Sequence, residues 1–189
     1  MFTWQSGDCR ALESVRLLLG AGGMRALGRS VRASGGDSAF TASYRLYVDD
    51  QGVLARLSVT SATADRERNL TLNRTEDGYW MLDTGSGGGR AEFNGALDVD
   101  LAYSPLFNAL PIRRLGLHHQ KGDQELPMVF VALPSLQVEE VTQRYRTVTP
   151  LDEQGRAVVN FSSARRSSDL VVDPDGIVID YPGLATRLD

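Results

Sequence analysis

The chain has 189 residues, of which 42% are hydrophobic and 23% charged, enough apolar mass for a sizeable core in one domain spanning 1–189 and too much for a disordered chain. A net charge of −4 speaks against a nucleic-acid binder, which would carry a basic face, and against attachment to anionic lipid by overall charge. The lone cysteine, Cys9, excludes an intramolecular disulfide and a cysteine-rich zinc site.

In chain order, MFTWQSGDCR has neither a basic start nor an apolar run, so no signal peptide is expected. Residues 11–19, ALESVRLLL, fit a helix or a strand equally well. Residues 24–33 read as a weak strand and Gly35-Gly36-Asp37 as a turn. Over 39–48, Phe40, Ala42, Tyr44, Leu46 and Val48 alternate with Thr41, Ser43, Arg45 and Tyr47, the period of a half-buried strand. Asp49 to Gly52 turns it into a return strand over 53–60, and 68–74 alternates again. Tyr79 to Leu82 follows a turn at Glu76-Asp77-Gly78. GSGGG (85–89) is expected to be a hairpin tip leading into a short strand through Phe93. It lacks the lysine and following helix of a phosphate cradle.

The stretch DVDLAYSPLFNALPIRRL (98–115) breaks the alternation. It sets two carboxylates, an amide, two prolines and two arginines among apolar neighbours. Ser104 and Pro105 predict a helix start, and Pro111 predicts its end or a kink after about two turns. Beyond it, His118 and His119 are expected in an exposed loop. Met128 to Leu133 reads as a strand buried on both faces. Val138 to Val148 is a long strand with Val141, Gln143, Tyr145 and Thr147 on one face, turning at 152–155 into 156–162. Residues 170–172 and 177–179 form a hairpin around Asp173-Pro174-Asp175-Gly176, ended by Tyr181-Pro182-Gly183. Ten to twelve strands at this spacing predict an all-β fold, a strongly curved antiparallel sheet (half-barrel or roll) around a short helical segment. No run reaches the ~18 apolar residues of a membrane helix. A cytoplasmic protein without a cofactor is therefore expected.

At this central stretch the sequence resembles the bacterial family of putative glycolipid-binding proteins. The likeness rests on DVDL (98–101), Ser104-Pro105, Asn108 and LPIRRL (110–115), supported by Gln143, Tyr145 and VDPDGIVIDYPGL (172–184). Trp4, Glu13 and Tyr44 also resemble family positions. The chain departs from the pattern at Leu106-Phe107, where a Phe-Thr pair is expected. The resemblance implies a β-rich fold akin to curved half-barrels that hold lipid.

Asp98 and Asp100 flank Val99, so a strand puts both carboxylates on one face, roughly 6–7 Å apart. They are read either as partners of Arg113 or Arg114 or as groups facing a ligand; such a pair could also serve a hydrolase. Arg113 and Arg114 point apart on helix or strand, so at most one of them lines a pocket. Trp80 is a candidate to stack on a sugar or acyl chain, and otherwise a core aromatic. The expected ligand-binding set is Asp98, Asp100, Asn108, Arg113, Arg114, Tyr145 and Trp80, for non-catalytic binding of a lipid or glycolipid in a concave apolar pocket. A hydrolase using Asp98 and Asp100 is the alternative. So is a structural role in which the central stretch plugs the roll and supports a homodimer.

Overall fold

Period-two alternation dominates the chain, and the backbone follows it. The computed structural model describes residues 1–34 and 39–188. Strand accounts for 57% and helix for 7%. The first nine strands are β1 (Phe2–Ser6), β2 (Ala11–Gly20), β3 (Gly23–Arg32), β4 (Phe40–Val48), β5 (Leu54–Ala62), β6 (Glu67–Arg74), β7 (Trp80–Asp83), β8 (Gly88–Ala91) and β9 (Asp98–Leu101). A 3-10 turn at Pro105–Asn108 then runs into helix α1 (Ala109–Arg114). The remaining strands are β10 (Asp123–Val131), β11 (Val138–Thr149), β12 (Ala157–Ser163), β13 (Ser167–Val172), β14 (Val178–Tyr181) and β15 (Ala185–Leu188).

All of them lie in one curved sheet, in the order β8-β7-β6-β5-β4-β3-β2-β1-β15-β14-β13-β12-β11-β10-β9. Two meanders grow outward from the β1–β15 pair, where the chain ends meet through Thr3↔Leu188 and Ser6↔Ala185. Every pairing is antiparallel except β9 on β10. Among the described residues the count is fifteen strands, not the ten to twelve expected, and β1 and β15 are among the additions. The ambiguous stretch 11–19 is a strand because it pairs on both sides, with β1 and β3. The expected turn at 35–37 lies outside the described residues. No helix is long and apolar enough to cross a membrane among the described residues.

The 3-10 turn and α1 fill the trough of the sheet. Leu106, Phe107 and Leu110 belong to the core cluster of Leu46, Leu57, Leu72 and Trp80. Ile112 and Leu117 belong to a second cluster with Met128, Tyr145, Val159 and Phe161. The plug therefore joins the two meanders, each large apolar side chain contributing about 1.5–3 kcal/mol by leaving water. Pro111 does not end the helix, which continues to Arg114. It is the third helical residue, in the first turn, where a missing N–H does no harm. Ser104 makes no capping hydrogen bond, because its hydroxyl donates across the trough to Glu13 at 2.5 Å.

Tyr44 also reaches Glu13, donating at 2.7 Å, and its ring meets Phe107 edge-on at 5.2 Å. That path crosses Gly28, its cross-strand partner. A Cβ at Gly28 would sit 2.0 Å from Tyr44 Cζ, so glycine is what lets the tyrosine lie flat across β3. Gly87 is the opposite case. It sits in the β7–β8 hairpin tip, with nothing within 4 Å of a built Cβ. Gly87→Ala is expected to leave thermal stability unchanged or raise it by up to about 1 kcal/mol, by restricting the unfolded chain; a clear loss in a melting curve would contradict an open tip.

Candidate functional site

A cleft of about 950 Å³ opens where β9 leaves the sheet and the plug begins. Asp100 to Ser104 and Asn108 form one side, β10 to β12 the other, and Tyr181 with Leu184 close the end. Alternation explains which side chains form its floor and which its rim. In β11 the inward positions Gln143 and Tyr145 are buried, while the Arg144 side chain between them is 54% exposed.

The floor carries a chain of hydrogen bonds with one direction. Asn108 Nδ2 donates to the Tyr145 hydroxyl at 2.9 Å, and Tyr145 donates to Gln143 Oε1 at 3.0 Å. Gln143 Nε2 donates to Asp100 Oδ2 at 2.6 Å. The chain ends on a half-buried carboxylate that lines the cleft. Burial pushes Asp100 up to about 6, against the lowering pull of the Gln143 hydrogen bond and the Arg166 charge. Tyr145 is held well above the usual phenol range, by burial first and by the Asp100 charge second.

The walls are aromatic. Phe161 packs against Tyr145 at 5.4 Å and against Tyr181 at 6.0 Å. Arg166 sits 5.5 Å over the Tyr181 ring, and Arg165 5.6 Å over Phe130. Arg144 is held by both oxygens of Asp123 at 2.6 Å. At the rim Tyr103 is left-handed, φ 67°, a backbone state that costs a non-glycine residue energy and gathers at ligand sites.

The expected site residues divide. Asp100 and Asn108 line the cleft, and Tyr145 lies directly beneath it. Asp98 shares the strand face of Asp100 but not its environment. It is 1% exposed and forked by Arg114, whose Nε lies 3.4 Å from Oδ1 and whose second nitrogen bonds Oδ2. Desolvation still raises Asp98, against the Arg114 pull. Asp98 and Asp100 therefore do not present two open carboxylates. Arg113 diverges from Arg114, donating to the Asp175 carbonyl in the β13–β14 turn. Trp80 is fully buried in β7, its indole N–H given to Ala96 O at 3.1 Å, and it does not line the cleft. His118 is not in an exposed loop position: it is 5% exposed, its ring tilted against that of exposed His119 with centroids 3.9 Å apart. The turn after α1 tucks it against Gly176, and burial lowers its pKa.

Sequence reading missed Phe130, Phe161, Arg166 and Tyr181. Phe130, Phe161 and Tyr181 sit in ordinary strands and Arg166 in the β12–β13 turn, and only the curvature of the sheet brings them to one place. Among the described residues no group of three or more His, Cys, Asp or Glu could hold a metal ion.

A family model described as "Putative glycolipid-binding" matches residues 1–187. The crystal structure of a DUF1089 family protein from Pseudomonas aeruginosa is similar, with TM-score 0.78 and 27% identity over 95% of this chain and 92% of that one. A beta-barrel-like protein of domain of unknown function DUF1849 from Brucella abortus shares the fold, with TM-score 0.54 and 10% identity over 98% and 92% of the two chains. No curated protein matches the sequence.

Proposed function

From the premise that the chain belongs to the family described as "Putative glycolipid-binding", we propose that the cleft binds an amphiphile with a hydroxylated, sugar-like head, without catalysis. The observation that carries this reading is the pairing of one aromatic wall with one ordered polar floor. Sugar hydroxyls both donate and accept. A carboxylate backed by a directed amide–phenol chain meets the donating half, and Arg166 meets the accepting half. Phe161, Tyr181 and Phe130 give the cleft an apolar lining against which a sugar ring or the start of an acyl chain can rest. The volume suits a head group with part of a tail.

The test is native mass spectrometry with a long-chain alkyl maltoside below its micelle concentration, against the matching free alcohol. The maltoside adduct is expected to persist and the alcohol adduct to be weaker. Asp100→Asn should weaken maltoside binding by about tenfold, the worth of a charge-assisted hydrogen bond, without lowering the melting temperature. Equal retention of alcohol and maltoside, or an Asp100→Asn variant that binds like the parent, would refute the polar-floor reading.

A further inference from the structure

The outer face of β2 to β5 is chemically unlike the rest of the surface. Alternation that buries Val15, Ala26, Tyr44, Leu46 and Leu57 turns their neighbours outward, and the register sets those in rows. One row runs Arg16, Leu27, Arg45, Ser58; the next runs Leu18, Arg25, Tyr47, Arg56; a third runs Ser14, Arg29, Ser43, Thr60. Arginine and large apolar groups thus alternate across the first two rows and along β3, while the third row sets Arg29 among hydroxyl side chains. Leu18 is 48% exposed, Leu27 45% and Tyr47 38%. No outward position of these four strands holds a carboxylate. The flanking acids are Asp49 and Asp50 in the β4–β5 turn, Asp65 in the β5–β6 turn, Glu67 at the start of β6, and Asp8 before β2, which pairs with Arg32; Asp37, between β3 and β4, lies outside the described residues. None of Arg16, Arg25, Arg29, Arg45 or Arg56 is in an ion pair among the described residues. In a chain of net charge −4, this is segregation of charge onto one face.

We infer that this face docks on an anionic lipid bilayer. Strands about 4.8 Å apart make it about 15 Å wide, and the span from Leu12 to Leu18 about 20 Å long. Unpaired guanidinium groups at these spacings lie within a Debye length of one another and add their attraction for a phosphate-bearing surface. The leucines and Tyr47 complete the chemistry: arginine stems lie along apolar neighbours while their heads reach phosphates, and the leucines enter the acyl boundary. A nucleic acid would reward the arginines but not exposed leucines, and the face offers a single aromatic ring for base stacking. A second copy of the chain packed on a two-fold axis here would set arginines against arginines. The inference does not rest on what the cleft holds.

Co-sedimentation with vesicles tests it, using phosphatidylcholine alone and phosphatidylcholine mixed about one-third with phosphatidylglycerol. The protein is expected to sediment with the mixed vesicles at low salt and to stay in solution with phosphatidylcholine. A triple variant, Arg25→Ser with Arg29→Ser and Arg45→Ser, should partition about a hundredfold less, at about fivefold per basic group. Leu18→Ser with Leu27→Ser should abolish whatever binding survives about 1 M salt, where charges are screened within about 3 Å. All five positions are exposed, so circular dichroism should be unchanged. Indifference of the parent protein to phosphatidylglycerol, wild-type partitioning by the triple variant, or tighter binding to an oligonucleotide than to the mixed vesicles would each overturn the inference.

Discussion

Asp98→Ala is expected to destabilise the fold by about 3–5 kcal/mol, the usual loss when one partner of a buried ion pair is removed. Asp98 is 1% exposed and the Arg114 side chain 12%. Without the carboxylate, the guanidinium stays in the trough with its charge unmet. The raised pKa of Asp98 says that desolvation outweighs the attraction of its partner. The pair therefore contributes little beyond what a well-packed apolar pair would, while half of it is worse than none. Asp98→Leu combined with Arg114→Met should accordingly recover most of the lost stability. Urea unfolding of the two single variants and the double variant measures both effects. If Asp98→Ala unfolds within about 0.5 kcal/mol of the parent, the pair does not anchor β9 to α1.

That pair was only half legible beforehand. Two acids and two arginines near apolar neighbours announced an electrostatic anchor. The register decides its members: Asp98 sits under α1, whereas Asp100, one period further along β9, faces β11 and meets Gln143. So the four charges are not one unit. The strand pattern of 39–48 was readable because every inward side chain finds the plug or its neighbours, and burial alternates without a break. β1 and β15 were not readable, since each is only four or five residues long and is held by the pairing of the chain ends together with β2 on one side and β14 on the other. Pro111 misled because a proline is a helix stop only when its N–H would have been used. Tyr181 and Arg166 carried no local signal, because the cleft they line is made by curvature, which accumulates from twist across many strands rather than from any one segment.

The second large effect concerns Glu13. Its carboxyl is 4% exposed, and burial pushes its pKa up to about 7 against the hydrogen bonds of Ser104 and Tyr44, from an ordinary 4.5. Both donors serve Oε1, and Oε2 has no partner. The folded state thus keeps a proton that the unfolded chain has already released. An acid with a raised folded pKa loses stability as pH rises between the two values. At about 1.4 kcal/mol per pH unit, the interval from 4.5 to about 7 corresponds to about 3–4 kcal/mol. The protein is therefore expected to be more stable near pH 5 than near pH 8. Asp100 contributes in the same direction between 3.8 and about 6. His118 opposes both below its ordinary 6.5, since a base held neutral by burial resists acid. Glu13→Gln isolates the Glu13 contribution. Glutamine keeps an acceptor for Tyr44 and Ser104 and removes the charge, so the variant should gain stability over the parent near pH 8 and lose that gain near pH 5. Denaturant unfolding at the two pH values measures it. Parallel pH profiles for the parent and Glu13→Gln would show that Glu13 folds already ionised, with its charge met by the two hydroxyls alone.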